Sequence, residues 1–171
     1  MRQRACPALF VFNMKPYTPH EFKVQYVREC QPMSEPADTP EIIAAYWRNN
    51  IPRADWFDPC KEAFVVIVLN TRRRIIGHNL VALGSLDSCP VVPRELFKPV
   101  IGVSGSACIL AHNHPSGDPS PSEADIKVTR DLIRAGQLLR IEVLDHIIVG
   151  EPAPDRPKAW FSLREAGYFA M

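Results

Sequence analysis

Residues 107–136 read ACILAHNHPSGDPSPSEADIKVTRDLIRAG, a strand, a loop and a helix in that order. The first five are apolar and β-compatible, a short buried strand. His112-Asn113-His114-Pro115 follows at its end, and six residues shaped by glycine and proline separate Pro115 from Ser122. Residues 123–135 then carry a helical pattern, with Ile126, Thr129 and Ile133 on one side and Gly136 as the expected stop. Histidines at i and i+2 on a strand end point to the same side. Asp125 lies in the first turn of the helix, so the loop can return its carboxylate to the strand end. Two imidazoles and one carboxylate form a three-ligand set that leaves a coordination position open, the catalytic rather than the structural arrangement for zinc. Ser122-x-x-Asp125 also reads as a capping box. The two readings are compatible, because a cap can position a ligand.

Upstream, Ala63–Leu69 (AFVVIVL) is a continuous apolar run and reads as a buried strand. Residues 70–73 form a polar turn, and residues 74–83 (RIIGHNLVAL) read as the hairpin partner. Pro93 opens a short helix, RELFKPVIG. Downstream, residues 138–149 hold at least one more strand, and WFSLREAGYF reads as a strand end and a final turn of helix. Strands alternating with helices argue an α/β fold, a mixed sheet flanked by helices on both faces. Nearer the start, residues 21–27 (EFKVQYV) alternate as a strand, residues 31–40 are a proline-rich loop, and Asp38 or Thr39 caps a helix whose first residue is Pro40. One short strand and one short helix make a poor independent core. Residues 1–60 are therefore expected as an extension packed on a main domain of residues 61–171.

Composition narrows the function. The chain has 171 residues, 46% of them hydrophobic and 23% charged, which suits one globular domain. Lys and Arg number 20 against 19 Asp and Glu, so the formal net charge is +1, without the basic excess of a phosphate-binding surface. DNA binding, if any, should be weak and salt-sensitive. All 8 glycines lie at or after Gly77, so the first 76 residues supply neither a glycine-rich phosphate loop nor a helix-hairpin-helix turn. The longest apolar run falls far short of the ~18 residues that span a bilayer. The opening MRQRACPALFVF is too short for a signal-peptide core. The cysteines number 5, with no CxxC pair, and argue free thiols in a reducing compartment. These features point to a soluble, cytoplasmic protein. Among other conspicuous residues, His146 reads as a satisfied core histidine or a support behind a ligand, His78 as structural or exposed, and residues 72–74 as a solvated turn. Trp47, Trp56 and Trp160 read as packing residues.

The run HxHP, six residues, SxxD resembles the signature of the JAB/MPN metalloprotease-like domain, the JAMM motif, and AHNHPSGDPSPSEADIKVTRDLIRAGQLLRIEVLDHIIVG resembles its RadC branch. GSLDSCPVVPRELF extends the likeness, which covers about residues 62–169. The resemblance implies a cytidine-deaminase-like α/β architecture and one zinc ion per chain on His112, His114 and Asp125. It implies Glu62, just before AFVVIVL, as general acid/base, and Ser122 as a hydroxyl donor to the oxyanion. It implies hydrolysis of a peptide or isopeptide bond in a protein substrate by metal-activated water. Many RadC proteins carry a helix-hairpin-helix segment; this sequence shows none and looks like a short form. The alternative class is a DNA repair or recombination accessory with a structural or vestigial metal site. A zinc deaminase would need PCxxC and HxE, which are missing, and HxH…D with the acid in a helix cap suits an iron oxygenase poorly.

Overall fold

The structure, a computed structural model, describes residues 36–37, 39–84 and 91–169. The expected strand at 21–27, most of the proline-rich loop, Asp38 and Cys6, Cys30 and Cys89 lie outside the described residues. Helix α1 spans Pro40–Asn50, followed by a 3-10 turn at Ile51–Arg53. Strands β1 (Ala63–Leu69) and β2 (Ile75–Leu83) form a hairpin; α2 is Pro93–Gly102, β3 Ala107–Asn113, α3 Glu123–Leu139, β4 Glu142–Val149 and β5 Trp160–Ser162. The sheet order is β2-β1-β3-β4-β5. Among the described strands only β3 and β4 pair in parallel, joined by the crossover through α3. The architecture is the mixed α/β sheet read from the sequence.

Strand alternation explains the layering. Ala63, Val65, Ile67 and Leu69 of β1, with Ala107, Ile109 and Ala111 of β3, pack against Ile43, Ala44 and Trp47 of α1. Phe64, Val66 and Val68, with Cys108 and Leu110, pack on the other face with Leu96, Phe97 and Val100 of α2 and Leu132 and Ile133 of α3. Both faces of β1 and β3 are covered, so their sequences are apolar runs rather than alternating ones. Trp47 and Trp160 are buried, and Trp56 packs partly buried at the edge of the same core. Of the described cysteines, Cys60 is exposed and Cys108 is buried, with its thiol pushed up to about 12 by burial. Among the described residues no helix is long and apolar enough to cross a membrane.

Two local expectations need correction. Thr39 occupies the N-cap of α1, but its side chain makes no cap bond. The tail is as expected: β5 and then a single helical turn, Ala166 N–H to Ser162 O, closed at Gly167 with φ 86°. Gly136 does not stop α3. The helix runs through it to Leu139 and reverses at Arg140, a left-handed cap with φ 57°. Gly136 is there for space: a Cβ would sit 2.5 Å from the Ile141 carbonyl oxygen and 3.2 Å from Phe97 Cζ. Alanine is the better helix former by ~1 kcal/mol, yet Gly136→Ala is expected to destabilise the fold by about 1–3 kcal/mol through overpacking. A fall in the urea midpoint at unchanged slope checks this; an unchanged or higher midpoint would show that the backbone yields.

Candidate metal centre

In β3, Cys108 and Leu110 face α2 and α3, so the same alternation turns His112 to that side. Its ring is fully buried and stacks on Phe64, 5.6 Å between centroids at 8°. His114 follows the strand end, where its main-chain N–H donates to the Val149 carbonyl. Gly117, with φ 78°, bends the loop back. Its carbonyl accepts from Arg156 Nη2 at 2.9 Å and from the Glu151 N–H at 2.8 Å. That bend brings the Asp118 carbonyl to His114 Nδ1, which donates to it at 2.7 Å. A carbonyl only accepts, so neutral His114 carries its hydrogen on Nδ1 and leaves Nε2 bare.

Asp125 arrives from the other element. Ser122 caps α3 in a complete capping box: Ser122 Oγ accepts from the Asp125 N–H, while Asp125 Oδ2 accepts from the Ser122 N–H at 2.7 Å. The Ser122 hydroxyl also donates to Oδ2, at 2.6 Å. The cap therefore orients the carboxylate. Asp125 Oδ1 lies 3.3 Å from His112 Nε2, Oδ2 lies 3.5 Å from His114 Nε2, and the two Nε2 atoms are 3.0 Å apart. These three residues form a group that could hold a metal ion.

The spacing tests the fit. Bonds of ~2.0–2.1 Å around a tetrahedral ion set donors roughly 3.3–3.4 Å apart, and the observed 3.0, 3.3 and 3.5 Å bracket that separation. Burial would raise the Asp125 carboxyl, but the His112 and His114 rings, which donate to it when protonated, and the Ser122 hydroxyl outweigh burial and hold it well below the usual carboxylate range. Burial opposes protonation of His114, yet its bonds to Asp125 and the Asp118 carbonyl raise its pKa. A carboxylate that stays ionised between two crowded imidazoles is a site that attracts a cation. Donor types, spacing and charge all fit a divalent ion held at three points.

Glu62 stands immediately before β1. The β1–β3 register pairs Phe64 with His112; two residues back along one strand and two forward along the other, position 62 falls opposite position 114. Glu62 is half-buried, and burial raises its carboxyl, with Asp125 adding to the rise and the His112 and His114 charges opposing it. The register thus brings position 62 to the end of the sheet where the three candidate ligands lie. It holds the Ser122 hydroxyl on Asp125, as part of the cap.

Asn113 was not legible as a site residue. As the middle residue of His-Asn-His it must face away from the ligands, and there it clamps the backbone on both sides of Glu62. Its Oδ1 accepts from the Ala63 N–H at 2.9 Å, and its Nδ2 donates to the Lys61 carbonyl at 3.0 Å. Asn113→Ala strands two main-chain groups, and at ~1–3 kcal/mol for each buried group left unpaired a loss of about 2–4 kcal/mol in stability is expected. Thermal unfolding of the variant checks this, and a midpoint equal to wild type would remove the clamp from the account.

His146 is a fully buried support, its Nε2 2.8 Å from His112 Nδ1, and burial pushes its pKa well below the usual value. His78 is half-buried, 2.8 Å from the Tyr46 hydroxyl and remote in sequence from the ligands. In the turn after β1, Asn70 Oδ1 accepts from the Arg72 and Arg74 N–H groups, and Arg73 pairs with Glu142 at 2.9 Å.

A mixed α/β sheet with this loop at the end of β3 is the setting of a JAB domain, and the chain belongs to the family of RadC-like JAB domains, whose model matches residues 37–168. The match begins just before α1 and so takes that helix in. Among curated proteins, a UPF0758 protein of Caldanaerobacter subterraneus is 47% identical over 109 residues, 64% of this chain and 44% of the relative. One from Moorella thermoacetica is 54% identical over 91 residues, 53% of this chain and 40% of the relative. One from Shouchella clausii is 41% identical over 138 residues, 81% of this chain and 54% of the relative. The chain spans about half the length of the curated relatives it matches.

Proposed function

We propose that this protein is a zinc-dependent hydrolase that cleaves an amide bond, peptide or isopeptide, in a protein substrate. The observation that carries the reading is the convergence of His112, His114 and Asp125 at 3.0–3.5 Å beside a half-buried Glu62 whose carboxyl burial has raised. His112 Nε2, His114 Nε2 and the Asp125 carboxylate would hold the ion, and three protein ligands leave a position open for chemistry. Zinc supplies a Lewis acid that makes water nucleophilic near neutral pH.

The chain's own groups do the rest. The Glu62 carboxylate takes a proton from the attacking water and delivers it to the leaving amine. A base with a raised pKa suits that exchange, because it holds the accepted proton more firmly than an ordinary carboxylate before returning it. Phe64, stacked on His112, shields the ligand ring from solvent on one side. Ser122 can serve the oxyanion only by turning its hydroxyl away from Asp125 Oδ2; a donor so placed stabilises the transition state by ~3 kcal/mol.

The test is a screen of peptide, isopeptide and nucleic-acid substrates with zinc-loaded and chelated protein. Amide cleavage by the zinc-loaded form, abolished by chelator and restored by zinc, is the expected result. Cleavage of nucleic acid alone, or amide cleavage indifferent to chelator, would contradict the reading.

A further inference from the structure

Behind the three ligands runs a line of hydrogen bonds that the proposed reaction does not use. Thr129 lies one helical turn after Asp125 on α3, and its hydroxyl donates back to the Asp125 main-chain carbonyl at 2.5 Å. The same oxygen lies 2.6 Å from His146 Nδ1. His146 Nε2 lies 2.8 Å from His112 Nδ1. All three side chains are buried, with Thr129 at 1% and both histidines at 0% exposure. The line is therefore shielded from bulk solvent.

A metal on His112 Nε2 requires that nitrogen to be bare, so His112 must carry its hydrogen on Nδ1. That N–H then donates to His146 Nε2, which forces the His146 hydrogen onto Nδ1. His146 Nδ1–H donates to Thr129 Oγ1, whose own proton goes to the Asp125 carbonyl. A carbonyl can only accept, so the line terminates there with every donor and acceptor matched. The sequence of bonds starts at one ligand's ring and ends at another ligand's backbone.

We infer that Thr129 and His146 are positioning residues that hold His112 in its metal-ready tautomer, with the Thr129 hydroxyl as the required acceptor. Without that oxygen, His146 Nδ1–H loses its partner in a buried site. The favoured alternative puts the His146 hydrogen on Nε2, aimed at His112 Nδ1, and His112 must then carry its hydrogen on Nε2, where the metal should be. The inference rests on the metal-site reading above and adds two residues to it.

Thr129→Val keeps the shape and removes the oxygen; Thr129→Ser keeps the oxygen. The measurement is zinc affinity by competition with a chromophoric chelator, together with nitrogen NMR of the histidine tautomers in the zinc-loaded protein. Thr129→Val is expected to lose ~10–100-fold in zinc affinity, the scale for groups that orient a ligand from behind. Thr129→Ser should restore the wild-type value, and His146 in zinc-loaded wild type should carry its hydrogen on Nδ1. Equal zinc affinity in wild type and Thr129→Val, equal loss in the Val and Ser variants, or His146 protonated on Nε2 with zinc bound would each overturn the relay while leaving the metal site standing. A wild-type protein that binds no zinc would overturn the metal reading itself, and the relay with it.

Discussion

His114→Ala is expected to lose more than ~100-fold in zinc affinity, beyond the 10–100-fold attached to groups that merely support a ligand. The reason is geometric. His114 Nε2 is held bare by the Asp118 carbonyl and lies 3.0 Å from His112 Nε2 and 3.5 Å from the Asp125 carboxylate. Removing it leaves two donors on one side of the ion and opens the other side to water. The fold should survive, because His114 lies past the end of β3 and outside both apolar clusters. Metal analysis of the purified variant beside wild type, with circular dichroism as the control for folding, reads the outcome. Equal zinc content in the two proteins would remove His114 from the ligand set.

Glu62→Gln separates holding the ion from using it. Glutamine keeps the size and hydrogen-bonding capacity of the side chain but cannot take a proton. Zinc content and stability should therefore stay at wild-type values, while the rate falls by ~10²–10⁴-fold, the usual share of a general acid–base group. Burial raises the Glu62 carboxyl. The base must be ionised to act, so the acid limb of the wild-type pH–rate profile should lie above the ordinary glutamate value of about 4.3 and vanish in the variant. Loss of zinc from Glu62→Gln would make Glu62 a ligand; full activity would make the proposed base wrong.

Much of this arrangement was legible before any coordinates, because it depends on short-range rules. The period-two alternation of β3 sends His112 to the side of Cys108 and Leu110, and Ser122-x-x-Asp125 closes as a capping box that also aims the carboxylate. The apolar run of β1 follows from burial on both faces. What was not legible depends on contacts across the sheet. Glu62 and His112 are 50 positions apart, and only the β1–β3 register and the Asn113 clamp bring Glu62 to the site. Strand alternation sends Asn113 to the opposite face, but nothing in the chain names the Lys61 and Ala63 backbone groups it meets there. Gly136 was misread because a glycine near a helix end usually serves a left-handed turn; here Arg140 adopts that conformation, and Gly136 lets Ile141 pass close. The sequence marks His146 as a satisfied core histidine or a support behind a ligand, and its partner Thr129 only as one residue of a helical face. Which way the Ser122 hydroxyl points is a three-dimensional fact with no trace in the chain.

Diffraction from zinc-soaked crystals across the zinc absorption edge tests the metal centre most directly. One anomalous peak per chain is expected, bonded to His112 Nε2, His114 Nε2 and the Asp125 carboxylate, with its open side toward a Glu62 carboxylate that does not bond the ion. A peak elsewhere, or an ion closed off by a fourth protein ligand such as Glu62 or His146, would contradict that assignment.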